Sequence, residues 1–163
     1  MRGRDFYVLH LSDLHIRNEG GSADRDVFYS KALSRLITDI TEQIKRVTDA
    51  NMVLVISGDI LEAKYSNEPR TSDAVLKFFK DLHSAIGQKI GKNIVIVPGN
   101  HDKQRSKIDT LVSKEHVYNG LDSDKDSDFW WDEHLKSYEH FFELTSKIYS
   151  LFGILLKIHL VLK

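Results

Sequence analysis

Ile94-Val95-Ile96-Val97-Pro98-Gly99-Asn100-His101-Asp102, residues 94–102, decides how this chain is read. Four β-branched residues in a row are too short for a helix and suit a strand. Pro98 and Gly99 end the run. Directly behind the break come an amide, an imidazole and a carboxylate. The same plan occurs twice more toward the N-terminus. Met52 to Ile56, MVLVI, stops at Ser57-Gly58-Asp59, and Phe6 to Leu11, FYVLHL, stops at Ser12-Asp13-Leu14-His15.

The segments between these runs carry helical periodicity. Leu33, Leu36, Ile37, Ile40, Ile44 and Val47 recur at three- and four-residue spacing, as do Val75, Phe78, Phe79, Leu82 and Ile86. Residues 16–25 and 62–72 are polar and read as loops, and Gly87 and Gly91 as helix stops. The order is β-α-β-α-β, which favours a parallel sheet covered by helices. MVLVI is apolar on both faces and suits a central position. Past Lys103 the pattern fades until Leu135, Tyr138, Phe141, Phe142, Thr145 and Ile148 indicate a third helix. Residues 151–163, LFGILLKIHLVLK, are shorter than the roughly 20 residues of a membrane span and read as a buried strand, with an interfacial anchor as the alternative.

In an open parallel sheet, ligands bind outside the carboxyl ends of the strands. Three chemically rich strand ends therefore meet on one rim. Asp13 and His15, two apart, share a face of an extended chain. Both suit one cation. Asp59 has two oxygens with which to bridge two cations, and Asn100 offers a carbonyl oxygen to the second. Gly58 and Gly99 permit backbone to approach closely. Taken alone, Asp-x-His reads as a surface turn, Gly-Asp as a turn signal and Asn-His-Asp as a capped turn. Together, and in this order, they point to a divalent-metal site. Two ions about 3.5–4 Å apart activate water and clamp substrate oxygens in phosphate ester hydrolysis.

Composition agrees with such a domain. The 163 residues are 41% hydrophobic and 29% charged, with a formal net charge of -1 and no cysteine. Thiolate metal sites, disulfides and cysteine nucleophiles are excluded. No basic excess marks a polyanion partner. No secretory leader is visible at the N-terminus, so the cytoplasm and a non-membrane setting are expected.

Residues 9–16 (LHLSDLHI), 55–62 (VISGDILE) and 97–102 (VPGNHD) resemble the calcineurin-like metallophosphoesterase superfamily. The resemblance implies an α/β fold, a β-sandwich flanked by helices. It also implies two divalent metal ions (manganese, iron, zinc or magnesium) and a phosphate-ester substrate that extends to nucleotides and nucleic acids. By position, Asp13 and His15 bind the first metal, Asp59 bridges and Asn100 binds the second. His101 is the proton donor to the leaving oxygen, in keeping with an imidazole's titration near neutrality. Glu62 orients His101, and Asp102 helps position the loop. The family's later His and its Gly-His-x-His signature have no counterpart here. His159 is the late candidate, whereas His116, His134 and His140 read as solvated or packing residues. Residues 1–163 are therefore expected to be one metallophosphoesterase domain truncated at its C-terminus, with weak second-site occupancy. Monoesterase, diesterase, and an impaired fragment serving as a binding or assembly module all stay open. Residues 122–133 (DSDKDSDFWWDE) read as a solvated acidic loop rather than a calcium loop. Trp130 and Trp131 read as packing residues before substrate contacts, and Lys103, Arg105 and Lys107 as either a phosphate-steering or a solvated charge run.

Overall fold

A computed structural model describes residues 6–17, 23–47, 51–62, 69–103 and 138–154. Strands β1 (Phe6–Ser12), β2 (Asn51–Ser57) and β3 (Ile94–Val97) form one parallel sheet in the order β1-β2-β3. The register is regular. Leu11 lies opposite Ile56, Ser12 opposite Ser57, and Ser57 opposite Val97. Three strands therefore end level, and the loops that follow them share one rim. The apolar MVLVI run takes the central place its two apolar faces favour.

Helix α1 (Ala23–Lys45) joins β1 to β2, and α2 (Pro69–Ile90) joins β2 to β3. The α2 residues Val75, Phe78, Phe79, Leu82 and Ile86 are all buried. They form one core with Leu11, Met52, Leu54, Ile56 and Ile94 from the sheet, and with Ile40 and Ile44 from α1. Alternate side chains of the strands turn the other way, and Phe6, Val8, Val95 and Val97 are exposed there, while Tyr7 is exposed near the start of β1. The ammonium of Lys89 in α2 donates to the carbonyls of Ile44 and Val47 at 2.8 and 2.7 Å, satisfying carbonyls at the end of α1.

Helix α3 (Glu139–Leu151) docks on α2 through Phe141, Leu144 and Ile148, which are buried in the same core. Two polar contacts fix it. His140 Nε2 meets Ser72 Oγ at 3.0 Å, and the Ile96 amide donates to the Tyr149 hydroxyl at 3.0 Å. The second contact gives a partner to an amide of β3, an edge strand of the three, where unpaired backbone invites further pairing. His140 is thus the packing residue its sequence context indicates. His116, His134, His159, the acidic 122–133 stretch, Trp130, Trp131, Arg105 and Lys107 lie outside the described residues.

Several element boundaries differ from the sequence reading. Helix α2 begins at Pro69, inside the expected loop, because a proline in the first turn forfeits an amide that has no helical partner anyway. Gly87 does not stop α2. It sits inside the helix, where an added Cβ would lie 2.4 Å from the His83 ring. The helix ends at Gly91, with φ of +59° and its amide bonded to the Gly87 carbonyl at 2.8 Å, a left-handed C-cap. The stretch beginning at Leu151 does not open as a strand. Leu151 closes α3, Phe152 is buried, and Gly153 turns the chain with φ of +69°. The family's sandwich is represented among the described residues by this one helix-flanked sheet.

Candidate metal centre

Beyond the strand ends the three loops stay joined. The loop after β1 runs beside the loop after β2. The Asp13 amide donates to the Gly58 carbonyl at 3.3 Å, His15 to Asp59 at 2.8 Å and Ile16 to Ile60 at 2.8 Å, and Glu62 returns a bond to Ile16 at 3.2 Å. Ile16, Ile60 and Leu61 are fully buried and anchor this pair of loops in the core. The Gly58 amide donates to Val97 at 2.8 Å, which ties in the loop after β3.

Carboxylates complete the joint. Asp102, only 1% exposed, accepts the Leu61 amide on Oδ1 at 2.8 Å and the Gly99 amide on Oδ2 at 2.9 Å. It is the loop-positioning residue its place after Asn100-His101 implies. Burial pushes its carboxyl above the usual aspartate range. The Gly99 and Leu61 amides pull the other way, and the nearby Asp59 charge adds to the rise. Asp59 Oδ1 accepts the His101 amide at 2.8 Å. Gly99 has no side chain because there is no room for one. A Cβ there would lie 2.2 Å from Asp59 Oδ1 and 2.4 Å from its amide nitrogen. Gly58, with φ of +77°, packs against the Cα of Gly99.

Asp13, His15 and Asp59 bring one donor atom each to within 4.8 Å of one another. Asp13 and His15 follow β1 and Asp59 follows β2, and the fold brings these two strand ends together. Among the described residues they are also the non-glycine residues with positive φ, at +53°, +44° and +51°. The left-handed conformation costs an L-residue about 1–2 kcal/mol. Such strain concentrates at functional sites, where the surroundings hold it in place. Two carboxylates and an imidazole are a donor set for manganese, iron or zinc. The residues present therefore fit a divalent cation. Asn100 lies exposed in the turn between Gly99 and His101.

Glu62 holds a position that spacing alone did not reveal. It sits 3.9 Å from His101 Nδ1, and it also sits 3.5 Å from His15 Nδ1. The two rings meet edge to face, with centroids 4.7 Å apart. Tyr29 is a further contributor. Its single O–H is shared between the carbonyls of Leu14 (2.5 Å) and His15 (2.9 Å), bracing the strained turn that carries His15. Burial raises its phenol pKa, opposed by the Arg17 guanidinium, so it stays a donor. Arg17 lies 5.7 Å over the Tyr29 ring. Nothing in the sequence marks Tyr29, since its partners are backbone carbonyls. At Tyr138, just before α3, burial and then the charges of Asp102 and Asp59 raise the phenol pKa.

A parallel helix-flanked sheet with two carboxylates and an imidazole gathered at its strand ends defines a metal-binding α/β protein. The chain belongs to the calcineurin-like phosphoesterases, whose family model matches residues 6–158. The chemistry of that family is metal-dependent hydrolysis of phosphate esters. An uncharacterized protein of Acanthamoeba polyphaga mimivirus is 28% identical over 108 residues, which covers 64% of this chain and 7% of the viral protein. The chain thus spans a small part of the length of this relative. No solved structure matches it. No described helix is long and apolar enough to cross a membrane.

Proposed function

We propose that this chain hydrolyses a phosphate monoester or diester, with the reacting phosphate held over the rim formed by Asp13, His15 and Asp59. The convergence of those three donors, each on a strained left-handed residue, carries the reading. Asp13 and His15 would hold a first cation and Asn100 a second, with Asp59 shared between them. Divalent cations there would supply an activated water and positive charge for the phosphate oxygens. The remaining work falls to the chain itself. His101 protonates the leaving oxygen. Its backbone is fixed by the hydrogen bond from its amide to Asp59 Oδ1, and its ring lies beside Glu62, with Nδ1 3.9 Å from Oε1. Asp102 and Gly99 keep the His101 turn against Asp59, so that proton donor and cation ligand move as one unit.

The substrate class we assign is a phosphate ester, nucleotides and nucleic acids included, and manganese is the cation to test first. A manganese-dependent assay with an aryl phosphate and the corresponding diester distinguishes the two activities. His101→Ala is expected to lower kcat by about 10²–10⁴-fold, the usual contribution of a positioned proton donor. Absence of manganese-dependent turnover of either ester by the unaltered chain would refute the enzymatic reading and support the binding-module alternative.

A further inference from the structure

The Nδ1 atoms of His15 and His101 are buried and have no hydrogen-bond partner, yet both face the same carboxylate. The gaps to Glu62, 3.5 Å from His15 Nδ1 to Oε2 and 3.9 Å from His101 Nδ1 to Oε1, exceed the 2.7–3.2 Å of an N–H···O hydrogen bond. The shorter gap is close to another length. A tetrahedral zinc ion with bonds of about 2.0–2.1 Å keeps its ligand atoms about 3.3–3.4 Å apart. His15, Glu62 and His101 each bring one donor atom to within 4.8 Å of the other two. Two imidazoles and one glutamate are also the protein donor set of an open zinc site, whose fourth position is left to water or another ligand.

We propose that His15 Nδ1, Glu62 and His101 Nδ1 form a separate zinc site that competes with the Asp13–His15–Asp59 centre. The competition follows from His15, which belongs to both groups. A neutral imidazole has one lone pair, so it serves one cation at a time. Zinc at Glu62 withdraws His15 from the ion held by Asp13 and Asp59, and it engages the ring of His101. Zinc binding stands on this geometry alone. The inhibition that follows from it rests on the phosphoesterase reading.

The test is zinc titration calorimetry on the full chain carrying Asp13→Asn, a change at an exposed residue that weakens the Asp13–Asp59 centre and leaves the Glu62 group intact. One zinc per chain is expected. Adding Glu62→Gln, or in a separate variant His101→Ala, is expected to weaken it at least about tenfold, a loss of about 1.4 kcal/mol. Circular dichroism verifies that each variant is folded, and the two second-site changes guard against a local collapse caused by either one. Zinc affinity unchanged by both, or no zinc binding by Asp13→Asn, overturns the proposal. Turnover is read separately. In the unaltered chain zinc is expected to suppress manganese-dependent hydrolysis, and to do so less effectively in Glu62→Gln. A chain with no hydrolysis at all would sink the phosphoesterase reading while the calorimetry still decides the zinc site.

Discussion

At single residues, the site depends as much on groups that never reach a cation as on those that do. Asp102 is the clearest. Its two oxygens serve two amides from different loops, so Asp102→Asn keeps one acceptor and turns an NH2 group against the other amide. Urea unfolding near neutral pH is expected to show a loss of about 1–3 kcal/mol. The pH dependence has a definite sign. Burial raises the folded-state pKa, so the folded protein takes up this proton at a higher pH than the unfolded chain does. The contribution is fully present below the ordinary aspartate value of about 3.9 and is lost as pH rises through the raised one. The stability gap between the unaltered protein and Asp102→Asn should therefore widen as pH falls from about 7 to about 4. A gap that narrows would contradict the assignment. Tyr29→Phe removes the donor that braces Leu14 and His15 and should cost about 1 kcal/mol, with weaker metal binding. The candidate ligands were legible in the sequence because each follows an apolar run. Tyr29 and the Glu62–His15 contact were not. The first acts on backbone, and the second depends on how two loops lie side by side.

At the scale of elements, the strands were readable and the helix ends less so. Continuous β-branched runs have few alternatives, and β2 lies in the centre as its two apolar faces require. Glycine is ambiguous in a sequence. Gly87 looks like a helix stop, but it is a packing gap under the His83 ring, and only the three-dimensional neighbour distinguishes the two. The same contrast gives a paired test. Gly99→Ala drives a Cβ into Asp59 Oδ1 and should cost about 1–3 kcal/mol and abolish manganese binding. Gly91→Ala has open space around it but keeps a φ of +59°, so it should cost about 1–2 kcal/mol and leave manganese binding intact. Equal effects of both on binding would show that the Asp59–Gly99 contact does not shape the site.

At the scale of the molecule, one face of the sheet and the inner faces of α1, α2 and α3 share a single core, and the rim above it inherits that rigidity. Phe79 is fully buried in this core, whereas Val95, on the other face of the sheet, is 47% exposed. Phe79→Ala should cost about 3–5 kcal/mol by urea unfolding, and Val95→Thr about 0.5 kcal/mol or less. Comparable losses would mean that the two faces are not distinguished as described.

The convergence of Asp13, His15 and Asp59 on a cation is tested most directly by titrating manganese into the unaltered chain and into Asp59→Asn. The asparagine retains an acceptor for the His101 amide, so the turn survives and a carboxylate ligand is removed. Saturable binding by the unaltered chain, at least about tenfold weaker in the folded variant, is expected. No saturable binding by the unaltered chain, or the same affinity in both, would contradict it.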